Sequence, residues 1–206
     1  MVPLGEGVFV DSATPEPTRL DIMRSMSVAN DSVRDFFGTV SHRRVILVCG
    51  DEQCETRLKS RLEGTARVRA FTYDLGGYPV LRISPRGLQP GIIAQELSHV
   101  ELHERIGFLN HMRGIFPAWF DEGLAVLIAG DSRYFKPGRS AAERCYSTPD
   151  FELPATPIGW DEAAGRRPWI YTKATCEVMK WMERNGGKDG VIAAIARVGT
   201  GRPFAP

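Results

Sequence analysis

Apolar residues recur with helical spacing early in the chain: Leu20, Ile22, Met23, Met26, Val28, Val33, Phe36 and Phe37 precede Gly38. That pattern predicts a helix over residues 18–37, ended by the glycine. Arg44 to Cys49 (RVILVC) is a β-branched run between polar residues and predicts a buried strand. Ala66 to Tyr73 alternates apolar and polar positions, and Tyr78 to Ser84 follows a Gly76-Gly77 turn and stops at Pro85, so both predict strands. Leu58 to Leu62 reads as a short helix, and Val8 to Val10 as an edge strand in an otherwise irregular 1–17.

The second half changes character. Pro90 and Gly107 bracket GIIAQELSHVELHERI, and Pro117 and Gly130 bracket AWFDEGLAVLIA. Proline tolerates a helix start and glycine a helix stop, so each pair encloses a predicted helix. Residues 131–168 hold five prolines and predict a long loop with at most brief helices. Further helices are expected from Trp169 to Asn185 and from Val191 to Val198. Helix and sheet come first and helices follow, which argues for an α+β fold. The segments 1–43, 44–85, 86–130, 131–168 and 169–206 are expected to make one domain.

Composition narrows the function. Apolar residues are 43 %, enough for a real core, and 26 Lys and Arg stand against 25 Asp and Glu. A net charge of +1 offers no general field for nucleic acid or an anionic membrane, so neither is expected as a partner. No apolar run approaches the ~18 residues of a membrane helix. The start, MVPLGEGVFVDSATPEP, lacks the basic and apolar stretches of a secretion signal. The chain as written is therefore expected in the cytoplasm, and in the periplasm or outside the cell if a leader was removed before Met1. Four cysteines are too few for a disulfide scaffold. Cys49 and Cys54 could be bridged across a turn-like loop, although two unpaired thiols is the preferred reading; Cys145 and Cys176 have no spacing partner.

Candidate chemistry sits on the helix after Pro90. At ~100° per residue, Gln95, Glu96, His99 and His103 fall on one face among Ile92, Leu102 and Ile106, while Ser98, Glu101 and Arg105 lie opposite. Polar groups on an inward face need partners, because a buried unpaired group costs on the order of 1–3 kcal/mol. A metal ion is one such partner.

Gln95-Glu96-Leu97-Ser98-His99 resembles the H-E-x-x-H zinc helix of metallopeptidases, with glutamine in place of the first histidine. Trp119 to Ala125 (WFDEGLA) resembles the W-x-[ND]-E-G-x-A helix of the gluzincins, and Tyr171 to Met182 is similar to the late helix of small gluzincin-like bacterial proteins. The resemblance implies a zincin-like fold, with His99 and Glu122 as metal ligands and Gln95 as a weakened third. It makes Glu96 the proton acceptor and Tyr171 a donor to the oxyanion. It further implies zinc as cofactor and a peptide or protein substrate lying along the strand Tyr78 to Ser84. An amide oxygen is a poor zinc ligand beside imidazole, so metal binding and hydrolysis are expected to be impaired. The alternative is an inactive pseudopeptidase or inactivated variant that keeps the fold and at most binds peptides.

Simpler roles stand beside these. Glu122 could be a first-turn carboxylate favoured by the helix dipole, and Tyr171 a core tyrosine. A displaced site using His99, His103 and a glutamate would keep two imidazoles but leave no base in the familiar position. His103 reads instead as a cleft-edge histidine, and His42 and His111, beside Arg43 and Arg113, as surface residues. Trp119, Phe120 and Trp181 read as core.

Overall fold

A computed structural model of the protein describes residues 1–40, 44–58, 69–74 and 79–205. Its contacts divide the chain into two compact units, Met1–Val100 and Glu101–Pro206. The boundary falls inside one continuous helix, α3 (Pro90–Ile106). The mixed α and β content agrees with the expected α+β class.

The first unit is built on a five-stranded sheet in the order β1-β2-β3-β5-β4. Its strands are β1 (Val2–Gly5), β2 (Val8–Val10), β3 (Val45–Val48), β4 (Ala70–Asp74) and β5 (Pro79–Ile83). β2, β3 and β5 run parallel, while β1 and β4 pair antiparallel to their neighbours. Parallel neighbours need a long crossover. Between β2 and β3 that crossover contains α1 (Glu16–Phe37), whose buried Ile22, Met26, Ala29, Val33 and Phe37 form one stripe at helical spacing. Gly38 ends it at φ +78°, its N–H donating to the Arg34 carbonyl.

Two expectations about this sheet are corrected. Val8–Val10 is interior, because the hairpin through Gly7 folds Val2–Gly5 back along it and β1 takes the outer place. Gly7 has φ +70°, and a Cβ there would lie 2.5 Å from the Arg44 carbonyl oxygen, so the turn demands glycine. The strand expected to lie along the cleft, Tyr78 to Ser84, is likewise interior: β5 pairs with β3 on one side and β4 on the other. Val80, Leu81, Arg82 and Ile83 are all buried, as suits a central strand. The outer strand on that side, among the described residues, is β4.

Cys49 and Cys54 are joined, with Cα atoms 5.3 Å apart, which overturns the preference for free thiols. The Asp51 carboxylate accepts from the Cys54 N–H (2.8 Å), an N-cap bond that turns the chain back as α2 (Glu52–Leu58) begins. This helix starts six residues before the short helix expected at Leu58 to Leu62, of which 59–62 lie outside the described residues. So do 66–68, Gly76, Gly77 and Tyr78 of the predicted strands and their turn.

The second unit is helical: α4 (Phe108–Met112), α5 (Ala118–Ile128), α6 (Ala141–Arg144), α7 (Pro157–Ala164), α8 (Ile170–Arg184) and α9 (Gly187–Gly199). Gly123 governs how α5 meets α8. A Cβ there would lie 2.6 Å from the Ala174 carbonyl oxygen, so the two backbones approach at a distance no larger residue allows. Phe116, Phe120, Trp181 and Phe204 form an aromatic core with ring centroids 4.9–5.6 Å apart. Phe120 and Trp181 are buried as expected; Trp119 is only half-buried. The stretch 131–168 is mostly loop with the brief helices α6 and α7; Thr156 caps α7 by accepting from the Gly159 N–H (3.2 Å), and Pro157 opens the helix. Cys145 and Cys176, for which spacing gave no partner, are bridged across 31 positions and tie the end of α6 to α8.

Candidate metal centre

α3 is apolar over most of its surface, with Ile92, Ile93, Ala94, Leu97, Val100, Leu102 and Ile106 all buried. Ser98 and Glu101, on its other polar side, are only 2 % exposed and are satisfied internally. Ser98 Oγ donates to the Ala94 carbonyl (2.6 Å), and Arg105 donates to Glu101 across one turn (3.2 Å). The helix therefore has little solvent-facing surface, and its histidine face must find partners too.

It finds them on α5. Pro117 initiates that helix and places Asp121, 6 % exposed, in its first turn. Asp121 Oδ2 lies 2.6 Å from His103 Nε2, a bond in which the imidazole donates when that nitrogen carries the proton. His99, one turn earlier on α3, completes a compact group: one ligand atom from each of His99, His103 and Asp121 lies within 4.8 Å of the others. Both histidines are half-buried. Two imidazole nitrogens and a carboxylate oxygen are a donor set suited to a divalent transition metal.

A fourth side chain approaches the same carboxylate. His111 Nδ1 is 4.0 Å from Asp121 Oδ2, and the His103 and His111 ring centroids are 3.6 Å apart at 34°. His111 is on a helix and 18 % exposed, in place of the surface loop position expected. The chain brings it there by reversing at Gly107 (φ +83°), which starts α4 directly after α3.

The residues singled out by sequence are distributed as follows. His99 belongs to the group. Gln95, Glu96 and Glu122 are half-buried and have interactions of their own. Gln95 is one turn before His99 on α3. Thr72 Oγ1 on β4 donates to the Glu96 carboxylate at 3.4 Å, near the limit of a hydrogen bond. The carboxylate in the group is Asp121, with Glu122 one residue further along α5. Tyr171, at the start of α8, packs edge-on to Trp160 (5.2 Å) and beside Tyr134 (5.5 Å), against a core of Ala118, Trp160, Ile170 and Ala174. His42 lies outside the described residues.

Asp121 lies within the WFDEGLA motif, where the expected ligand is Glu122, and His103 enters the sequence reading as a ligand only in the displaced alternative with His99 and a glutamate. The i,i+4 spacing of His99 and His103 was the available signal. For His111 only the flanking Gly107 and Gly114 hinted that the chain turns back. Compared with models of protein families, with curated proteins and with solved structures, the chain matches none.

Proposed function

We propose that this is a metallopeptidase-like protein that holds zinc on His99, His103 and Asp121 and engages extended peptides, with peptide hydrolysis impaired. The observation that carries the reading is the convergence of two imidazoles and a buried carboxylate within 4.8 Å. A buried carboxylate beside histidines suits a cation, since an isolated buried charge is costly. A zinc ion held there would acidify bound water and polarise a peptide carbonyl.

The chain's own residues supply the rest. Glu96, three positions before His99 on α3, is the carboxylate available to accept a proton, and Thr72 holds one of its oxygens. β4 carries Thr72 and is the outer strand on its side among the described residues, and an outer strand is the kind of element to which an extended peptide adds through main-chain hydrogen bonds. Tyr171 is the hydroxyl that the gluzincin resemblance assigns to the oxyanion.

Impairment has a specific cause. With His99 and His103 as the histidine pair, the position directly after the first histidine is Val100, 2 % exposed and unable to take a proton. That observation also favours a second reading, a peptide-binding protein with no hydrolytic step. Two disulfides support an oxidising location, periplasmic or extracellular, over the cytoplasm. No described helix is long and apolar enough to cross a membrane.

Metal content by mass spectrometry tests the proposal on the unmodified protein, His103→Ala, Glu122→Ala and Gln95→His. The expected result is near-stoichiometric zinc in the unmodified protein that is lost in His103→Ala and kept in Glu122→Ala. Zinc lost with Glu122→Ala and kept with His103→Ala would place the ion in the register of the H-E-x-x-H resemblance. Zinc in none of the four would end the metallopeptidase reading. Turnover of a quenched peptide by zinc-loaded protein, against binding of the same peptide without turnover, separates the two functional readings.

A further inference from the structure

We infer that His111 is a positioning residue for His103: its ring lies against the face of the His103 ring and fixes the plane in which that imidazole meets the metal. The inference rests on the metal site proposed above and adds to it a group that binds no metal itself. The two ring centroids are 3.6 Å apart at 34°. That is closer than the ~4.5–7 Å at which aromatic side chains commonly pack. One face of His103 is therefore covered, while its Nε2 edge lies 2.6 Å from Asp121 Oδ2.

A ring held on one face and at one edge has little rotation left to lose when a metal arrives, and ordering a side chain beforehand strengthens binding. Metal binding also leaves the His103 ring electron-poor, and the face of a second ring is a favourable neighbour for positive charge. His111 acts through that face, because its Nδ1 is 4.0 Å from Asp121 Oδ2, too far for a hydrogen bond.

The placement of His111 is built, because α4 is anchored along its length. Asn110 Nδ2 donates to the Ile106 carbonyl at the end of α3 (2.8 Å) and to the Val198 carbonyl on α9 (3.1 Å). Beyond α4, the Gly114 N–H donates to the His111 carbonyl (2.9 Å). Gly114 has φ +64°, and a Cβ there would lie 2.8 Å from the Ala155 carbonyl oxygen, so the exit from α4 is fixed as well. These bonds leave the His111 side chain 18 % exposed on a helix of five residues.

Cobalt(II) replaces zinc as the probe, because its visible spectrum reports the donor set. Unmodified protein, His111→Phe, His111→Ala, Asn110→Ala and the double variant of the two alanine changes are titrated, with circular dichroism confirming that each is folded. Phenylalanine keeps an aromatic face and has no donor atom, so His111→Phe should match the unmodified protein in both affinity and spectrum. His111→Ala should bind cobalt about 10-fold more weakly. Asn110→Ala should weaken binding less, and add nothing to His111→Ala, because the two act through one contact. Unchanged affinity in His111→Ala, or affinity in His111→Phe as weak as in His111→Ala, overturns the positioning role and leaves the three-residue site standing. So does a changed spectrum in His111→Phe, which would make His111 a donor. Cobalt and zinc bound by no form overturn the metal site itself and His111's role with it.

Discussion

Two successive turns of α3 make opposite use of the same kind of residue. The earlier turn, Gln95 to His99, carries the peptidase-like pattern and offers one imidazole. The later turn, His99 to His103, carries no pattern of its own, yet it is the turn that meets a buried carboxylate on α5. The contrast teaches that a motif marks which helices form a site, while the facing of those helices decides which residues serve. One step along α5 rotates a side chain by ~100°, enough to exchange Glu122 for Asp121.

The sharpest way to break the comparison is to remove one member of each turn. His103→Ala is expected to weaken zinc binding by at least about 100-fold, more than a supporting residue would cost, while Gln95→Ala leaves it nearly unchanged. Equilibrium titration against a chelating indicator measures both, and the reverse order would return the ion to the earlier turn.

The later turn also depends on a scaffold that the earlier one does not share. Asp121 rides on α5, α5 packs on α8, and α8 is tied to α6 by Cys145–Cys176. Replacing both of these cysteines by alanine should lower stability by about 3–4 kcal/mol, from the entropy of a 31-residue loop, against about 2 kcal/mol for Cys49 and Cys54. Denaturant unfolding of the two double variants checks the order. Gly123→Ala should cost about 1–3 kcal/mol, because the new methyl meets the α8 backbone and the helices must separate. Loss of zinc affinity in the same variant would show that Asp121 needs this close approach.

The smallest effect is electrostatic. Lys173 on α8 donates to Asp150 (2.9 Å) and to the Phe151 carbonyl, and its ammonium holds the Asp150 carboxyl below the ordinary value of 3.8. A lowered folded-state pKa stabilises above the ordinary value, and that contribution fades as pH falls through the lowered one. Asp150→Asn should therefore melt slightly lower than the unmodified protein at neutral pH, with the gap closing in acid. A gap that persists at low pH would assign the effect to something other than charge.

Most helices were legible because their ends are written locally. The predicted 18–37 helix is observed as Glu16–Phe37, and the two Pro–Gly brackets enclose α3 and α5. What sequence missed depends on distant partners. Val2–Gly5 becomes a strand only because β2 is there to pair with it, and the central place of β5 follows from strand order, which no local pattern records. In the site, His99 was legible from its motif. Asp121 stands beside Glu122 in the same motif, and no local pattern says which of the two carboxylates faces α3; His111 leaves the surface only through the glycine at position 107.

The Cys145–Cys176 bridge has one more consequence, for proteolysis. A protease that cuts between these cysteines leaves two chains joined by a covalent bond, with α5 on one and most of α8 on the other. Such a molecule migrates as one band until it is reduced. Loss of a peptide bond between residues 145 and 176 need not mean loss of the pairing that holds the carboxylate in place.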